Sequence, residues 1–219
     1  MEDIDELNAR QREAVEHTEG PLLIVAGAGA GKTRTIAHRI AHLISHGVSA
    51  QKILAVTFTN KAAHELRERV TKLLLEVGLP TEVKLRGVPL VSTFHSLCVQ
   101  LLREYHELIG MPRHFTILDQ EDATALIRKA MRDANVNPKE FAPGSILSRI
   151  SREKGNLVSA TEFSSRANDF FEETVSDVWK RYEEKKRAAH AFDFDDLLAE
   201  TVSLLRREPN VLRTLQSRW

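Results

Sequence analysis

Residues 22–33 read LLIVAGAGAGKT, an apolar run that passes into alternating glycines and ends in Gly-Lys-Thr. The apolar run predicts a buried strand, and the glycines permit backbone conformations that are closed to other residues. A helix is predicted from Thr33 to Ser45, and the positive end of that helix would face a bound phosphate. The stretch is typical of a phosphate-binding loop, with Lys32 on the β- and γ-phosphates and the Thr33 hydroxyl on Mg²⁺.

One position departs from the general pattern G-x-x-x-x-G-K-[ST], which has glycine where this chain has Ala26. The alternative interpretation is a glycine-rich turn that carries Gly-Lys-Thr by chance. Because strand, loop and helix follow one another in the order that a phosphate site requires, the sequence favours the site.

The composition limits the classes of partner. The chain of 219 residues has 31 Lys plus Arg and 31 Asp plus Glu, so no overall positive charge attracts nucleic acid and any such contact must be local. The acidic N-terminus lacks the pattern of a signal peptide, and no apolar run approaches membrane-spanning length. These features predict a cytoplasmic protein without a membrane partner. The single cysteine, Cys98, lies in a helical apolar pattern and is predicted to be a core residue.

The first hundred residues alternate between strand and helix patterns. A short helix is predicted at 7–15, a second strand at 52–57 and a third at 88–92, and Asn60 is the predicted N-cap of the helix after the second strand. The buried stripe of that helix would comprise Ala62, Ala63, Leu66, Val70, Leu73 and Leu74. This alternation predicts an α/β fold in which helices cover a parallel sheet.

Aromatic and polar side chains follow two of these strands. Phe58 comes directly after the second strand, and Phe94 with His95 after the third. Ligands bind at the carboxyl edge of such sheets, where an aromatic ring can stack on a base. A core position for Phe58 and a capping or surface position for His95 remain open. Gln11, on the helix before the phosphate loop, could reach a bound base or be an ordinary exposed glutamine.

The pattern changes at about residue 107. Helices are predicted at 120–134, near 138–152 and at 161–187, followed by a helix that Asp193 caps and that extends to Arg207, and by a last one at 211–218. The run at 115–119 looks like a strand with a Mg²⁺-binding aspartate, but Asp119 is better explained as a helix N-cap. Asp195 or Asp196 could be a polar group close to a site. Eight basic residues could contact nucleic acid or form a solvated face: Arg149, Arg152, Lys154, Lys180, Arg181, Lys185, Lys186 and Arg187.

Together these motifs resemble the N-terminal part of a superfamily 1 DNA helicase of the UvrD/Rep/PcrA family. Leu7-Asn8 with Gln11 resembles the family's Q motif, and residues 26–33 resemble its first helicase motif, in which alanine is common at the position of Ala26. Residues 57–63 and 92–96 resemble its motifs Ia and Ib. The resemblance covers nearly the whole chain.

The resemblance implies a RecA-like phosphate-loop domain at 1–107 that resumes at 191–219, interrupted by an all-helical insertion subdomain at 108–190. It implies ATP and Mg²⁺ as cofactors, with Lys32 and Thr33 as catalytic residues and Gln11 reading adenine. The nucleotide site would comprise Gln11, Ala26, Gly27, Ala28, Gly29, Ala30, Gly31, Lys32, Thr33 and Arg34. Phe58, Thr59, Asn60, Phe94 and His95 would contact single-stranded DNA. Family members move 3′ to 5′ along one strand and displace the other, so junctions of single-stranded and duplex DNA are the implied substrates.

In the family, a strand ending in Asp-Glu follows the segment that matches residues 216–219, where this sequence stops. Those carboxylates complete the Mg²⁺ site and activate water, so we expect these 219 residues alone to bind nucleotide or single-stranded DNA without turnover. A small phosphate-loop kinase is the less favoured alternative. No acceptor site or arginine-rich lid is visible, and Phe58 and His95 would then be unexplained.

Overall fold

A computed structural model describes residues 7–76 and 88–219; the acidic start of the chain lies outside them. The described elements in chain order are α1 (Ala9–Glu16), α2 (Lys32–Ser45), a 3₁₀ turn (Ala50–Lys52), β1 (Leu54–Thr57), α3 (Asn60–Glu76), β2 (Leu90–Thr93), α4 (Phe94–Glu104), β3 (Thr116–Ile117), α5 (Gln120–Asp133), α6 (Pro143–Gly155), α7 (Ala160–Arg166), α8 (Phe170–Ala188), β4 (Ala191–Phe192), α9 (Phe194–Arg207) and α10 (Pro209–Arg218). The chain forms two compact units. Unit 1 comprises the residues up to Phe94 together with Arg213–Trp219, and unit 2 comprises His95–Leu212.

Unit 1 contains a parallel strand pair with helices packed on it. β1 and β2 pair in register from Leu54 opposite Leu90 to Thr57 opposite Thr93. The predicted stripe of α3 is buried at every third or fourth position, and it shares one core with α2 and with Val91 of β2. Burying each large aliphatic side chain of this core contributes about 1.5–3 kcal/mol relative to leaving it exposed. The predicted strands at 52–57 and 88–92 are thereby confirmed to within two residues.

The prediction of a buried strand at 22–25 is wrong. These residues lie outside the strands of the described chain, and the side chains of Leu23 and Val25 are 86% and 87% exposed. A strand is stable only when its backbone N–H and C=O groups pair with a neighbour. No described strand pairs with this run, so the parallel sheet of unit 1 has two described strands and not three.

Helix α3 begins one residue earlier than the predicted cap requires. The hydroxyl of Thr59 accepts a hydrogen bond from the N–H of Ala62 at 3.1 Å, and the Thr59 carbonyl accepts one from Ala63. Asn60 is already the first helical residue. The N-cap is therefore Thr59 and not Asn60 as predicted. Either side chain can accept the free N–H groups of a first turn, so residue type alone does not decide between the two neighbouring positions.

Unit 2 is built around helices α5 to α8. Their apolar faces meet in a core that includes Ile127, Ile146, Phe163, Trp179 and Tyr182. Asp119 accepts hydrogen bonds from the N–H groups of Glu121 and Asp122 at 2.8 Å each, which confirms it as the N-cap of α5.

Unit 2 differs from the sequence prediction in two places. Thr116–Ile117 forms a short parallel strand pair with Ala191–Phe192, so the stretch from 107 to 190 is not entirely helical. The helix predicted at 161–187 is two helices, α7 and α8, separated at 167–169. Asp169 causes this break, because its side chain accepts a hydrogen bond from the N–H of Glu172 and starts a new helix without glycine or proline.

Candidate nucleotide and nucleic-acid site

The glycine-rich loop ends directly on the N-terminus of α2. Gly29 and Gly31 have φ angles of +77° and +79°, in the left-handed region that favours glycine. The Ala30 N–H donates to the Gly27 carbonyl at 3.4 Å across Ala28 and Gly29, which closes a turn. Gly31, the N-cap residue, has no side chain to cap α2. The first-turn N–H groups and the positive end of the helix therefore suit an anion.

Lys32 contributes a cation at the same place. Its ammonium donates to the carbonyl of Ala26 at 2.9 Å and to that of Gly27 at 2.6 Å. Both acceptors belong to the loop, so the Lys32 side chain lies along the residues predicted to surround the phosphates. Thr33 follows in the first turn of α2 with an exposed side chain. A phosphate and a hydrated Mg²⁺ fit this donor set, because Mg²⁺ usually takes few protein ligands together with phosphate oxygens and water.

Gln11 contacts the glycine-rich loop. Its side-chain N–H donates to the Ala30 carbonyl at 3.1 Å, and its side-chain oxygen accepts from the N–H of Asn8 at 3.1 Å. The second contact belongs to a capping box in which Asn8 and Gln11 satisfy each other's backbone N–H groups. The structure thus brings Gln11 and the loop together. The contact with the Ala30 carbonyl distinguishes Gln11 from an unattached surface glutamine, and its role toward a base stays a prediction.

Arg39, which sequence reasoning missed, holds α1 in place. Its guanidinium donates to the carbonyl of Ala14 at 2.8 Å and to that of His17, both at the end of α1. These contacts span 25 and 22 positions of sequence, so no local pattern could have identified them. Arg34 lies half-buried in the first turn of α2 and lines an open cleft with Glu65 and Glu68 of α3.

Two phenylalanines meet where the parallel strands of unit 1 end. Phe58 directly follows β1 and Phe94 directly follows β2, and their ring centroids are 5.7 Å apart. Phe58 is 92% exposed, so the interpretation of Phe58 as a core residue is wrong. Thr59 and Asn60 follow it with exposed side chains at the start of α3. An exposed aromatic pair beside polar groups can stack on a base.

His95, in unit 2, contacts a phenylalanine that sequence reasoning did not identify. The ring of Phe194 lies edge-on to the His95 ring, with centroids 5.6 Å apart, and Phe194 is 51% exposed. Phe194 is the first residue of α9, between two buried aspartates. One sequence signal could have identified Phe194. It directly follows the predicted N-cap Asp193, and an aromatic side chain at the start of a helix need not belong to the core.

The structure removes two basic residues from the possible nucleic-acid surface. Lys154 and Lys186 are buried and paired with carboxylates, so that interpretation is wrong for both. The Arg149 guanidinium is also occupied, by the carboxylates of Glu153 and Glu172, so Arg149 is not assigned to the DNA contact.

Three further observations concern metals, thiols and membranes. Among residues 7–76 and 88–219, no group of three or more His, Cys, Asp or Glu side chains is arranged to hold a metal ion. Cys98 is buried, and burial raises the pKa of its thiol, as expected for a core residue. None of the helices in the described part combines the length and apolar character needed to cross a bilayer.

Comparison with known proteins places these features in context. The family model described as UvrD/REP helicase N-terminal domain matches residues 7–219. The ATP-dependent DNA helicase PcrA of Bacillus subtilis (strain 168) is 44% identical over 214 residues, which are 97% of this chain and 28% of that protein. The same-named protein of Staphylococcus aureus (strain COL) is 42% identical over 217 residues, 99% of this chain and 29% of that protein. The chain therefore spans less than a third of the length of these relatives.

Proposed function

This chain belongs to the UvrD/REP helicase N-terminal domain family, and we propose that it is part of an ATP-dependent DNA helicase that moves 3′ to 5′ along one strand. In this proposal the phosphate loop and strands β1 and β2 belong to a RecA-like domain at 1–107 and 191–219. Residues 108–190 form the insertion, which is helical apart from the short strand β3. The substrates are single-stranded DNA and its junctions with duplex.

The observation that carries the nucleotide part of the proposal is the contact of Gln11 and Lys32 with one loop. Gly29 and Gly31 give that loop its shape, Lys32 lies along its carbonyls, and Gln11 binds the Ala30 carbonyl. Lys32 would hold the β- and γ-phosphates of ATP, Thr33 would supply one oxygen ligand to Mg²⁺, and Gln11 would read the adenine. Mg²⁺ would neutralise phosphate charge when bound.

Nucleotide binding by the 219-residue chain tests this part. We expect Lys32→Ala to weaken binding of fluorescent N-methylanthraniloyl-ATP at least tenfold, because phosphoryl groups are held mainly by charge. Lys52→Ala removes an exposed lysine outside the loop and is the matched control. In the longer protein, Lys32→Ala should also abolish unwinding of a 3′-tailed duplex. Unimpaired unwinding by that variant would remove Lys32 from the proposed site.

The DNA part of the proposal rests on the exposed aromatic rings. Phe58 and Phe94 in unit 1, and His95 with Phe194 in unit 2, follow strands or begin helices with part of each ring accessible. Stacking a base on such a ring contributes about 1–3 kcal/mol and tolerates any sequence, as a translocating protein requires. Thr59 and Asn60 would contact the same strand beside Phe58.

Binding of a fluorescein-labelled oligo(dT) to the 219-residue chain, followed by anisotropy, tests this second part. Phe58→Ala should weaken binding by roughly tenfold, the loss of one stacked base. Leu75→Ala is the control, because Leu75 is also an exposed apolar residue of unit 1 and lies at the other end of α3. Equal affinities of the two variants would exclude Phe58 from the DNA contact.

We also propose that these 219 residues alone bind ATP and DNA without turnover. Hydrolysis needs an acidic ligand on Mg²⁺ and a group that orients the attacking water. The nucleotide site proposed here, Gln11 with residues 26–34, contains neither aspartate nor glutamate. DNA-stimulated ATP hydrolysis by the isolated chain would contradict this. The kinase alternative has no support, since the family match covers residues 7–219.

A further inference from the structure

A cluster of five charged side chains, four of them buried, lies where α6, α8 and the start of α9 meet in unit 2. Lys154 donates to Asp196 at 2.6 Å, to Asp193 at 2.8 Å and pairs with Glu183 at 3.0 Å. Lys186 contacts the same three carboxylates, with 2.9 Å to Glu183, 3.2 Å to Asp193 and its shortest contact to Asp196. Two lysines from two helices therefore share the pair of aspartates that begins α9.

Burial makes this arrangement sensitive to the loss of any member. The side chains of Lys154 and Lys186 are 6% and 2% exposed. Burial disfavours charge on both aspartates. At Asp193 the two lysines outweigh burial and lower the carboxyl pKa, whereas burial raises the pKa of Asp196. Removing one lysine leaves buried carboxylate charge uncompensated.

The same two aspartates fix the first turn of α9. The N–H of Asp193 donates to the Asp196 carboxylate and the N–H of Asp196 donates to the Asp193 carboxylate, at 2.9 Å each. Phe194 lies between Asp193 and Asp196 in the sequence, and its ring makes the edge-on contact with the His95 ring. The position of the Phe194 backbone is therefore fixed by carboxylates that the two lysines hold.

Capping alone does not require these lysines. Helices α5, α7 and α8 of the same unit begin with Asp119, Ser159 and Asp169, whose side chains accept backbone N–H groups. Each of those three side chains lies at an exposed position and has no lysine partner among the described contacts. A buried ionic cluster is rarely the most stabilising solution for a core. The presence of such a cluster at α9 indicates that it fixes the position of the first turn of this helix, and does not only stabilise the fold.

We propose that Lys154 and Lys186 are positioning residues that hold Phe194 against His95 and so set the geometry of this DNA-contacting pair from helices α6 and α8. The inference rests on the proposed function, because the consequence for DNA assumes that His95 and Phe194 contact the strand. The position of the Phe194 ring against His95 can be measured without DNA.

The first measurement is the ¹H NMR resonance of the His95 ring in the 219-residue chain, assigned by comparison with His95→Gln. The edge contact places His95 in the ring-current field of Phe194, so Phe194→Ala should shift this resonance. Lys154→Met should shift it in the same direction. Arg149→Met is the matched control, because Arg149 also pairs with carboxylates of unit 2, the buried Glu153 and the partly buried Glu172, and no described contact joins it to Asp193 or Asp196. An unshifted resonance in Lys154→Met would overturn the proposal.

The second measurement is the affinity for oligo(dT). Lys154→Met should weaken binding roughly tenfold, as for the loss of one stacked base, while Arg149→Met should leave it within about twofold. The double variant Lys154→Met with Phe194→Ala should bind no more weakly than Phe194→Ala alone. Additive losses, or equal losses in Lys154→Met and Arg149→Met, would show a purely structural role and overturn the proposal.

Asp196→Asn covers the case in which Lys154→Met does not fold. An asparagine oxygen can still accept the Asp193 N–H, so α9 keeps its cap while the charge contacts of Asp196 with both lysines are lost. This variant should shift the His95 resonance without unfolding unit 2, and no shift would again overturn the proposal. If the unaltered chain fails to bind oligo(dT), the DNA part of the proposed function fails, and the His95 resonance still decides whether the cluster positions the ring pair.

Discussion

Replacing Gly31 with alanine tests the contact between α1 and the glycine-rich loop. A Cβ atom at Gly31 would lie 2.8 Å from the side-chain nitrogen of Gln11, and the φ of +79° disfavours any side chain. Gly29 has nearly the same φ, +77°, but a Cβ atom there meets nothing within 4 Å. Gly29→Ala is therefore a matched control that introduces the backbone strain without the collision.

The expected magnitudes follow from these two differences. Left-handed backbone costs an alanine roughly 1–2 kcal/mol, and both substitutions incur it. The Gln11 amide is the end of a flexible side chain, so it moves away and loses its hydrogen bond to Ala30, which is worth about 0.5–1.5 kcal/mol. Gly31→Ala should thus lower the free energy of unfolding by about 0.5–1.5 kcal/mol more than Gly29→Ala.

Urea denaturation followed by far-ultraviolet circular dichroism measures the free energy of unfolding of Gly31→Ala and of Gly29→Ala. Both substitutions lie in unit 1, so unit 2 is the same in the two variants. In a Gln11→Ala background the collision and the hydrogen bond are both absent, so the two glycine variants should become equally stable. Equal stability in the presence of Gln11, or a difference that persists after Gln11 is removed, would refute the contact.

Three further outcomes are expected. Asp119→Ala removes the side chain that caps α5 and should lower the free energy of unfolding by about 1 kcal/mol in urea denaturation, whereas Asp122→Ala, which keeps the cap, should have a smaller effect. Because burial raises the pKa of Cys98, iodoacetamide at pH 8 should alkylate its thiol only under denaturing conditions, and rapid alkylation of the native chain would contradict its core position. The pKa of Asp193 is lowered, so its ionised carboxylate stabilises the fold at neutral pH, and this contribution is lost as the pH falls below the ordinary value of 3.8. The difference in unfolding free energy between the unaltered chain and Asp193→Asn should therefore begin to shrink below about pH 4. A difference that does not change with pH would contradict an ionised Asp193.

Local chemistry explains what could be predicted from the sequence. The helix predicted from Thr33 begins at Lys32, and the caps at Asp119 and Asp193 are present as predicted, because neighbouring residues determine them. Local capping identified Asp119 correctly, but it did not reveal that Thr116–Ile117 forms a strand. The membership of the family followed from spaced motifs and is confirmed.

Features that depend on distant residues were predicted less well. The apolar run at 22–25 has the composition of a strand, but a strand also needs a partner. The burial of Lys154 could not be predicted, because its partners Asp193 and Asp196 lie 39 and 42 positions away. Lys186 is only 7 and 10 positions from the same aspartates, but the contact depends on how the chain turns between α8 and α9. The residues assigned to nucleotide and DNA, and the domain limits at 107 and 190, remain predictions.

The exposed run at 22–25 also determines how the isolated chain behaves in solution. Leu22, Leu23, Ile24 and Val25 are four consecutive uncharged apolar residues that pair with no strand of the described chain. Unpaired apolar segments of this kind let strands of different molecules join edge to edge. Pro21 before the run and Gly27 after it limit the length of such a strand. Reversible, concentration-dependent aggregation through this segment is therefore the expected colloidal behaviour of the purified chain, and a charged residue in place of Leu23 would suppress it.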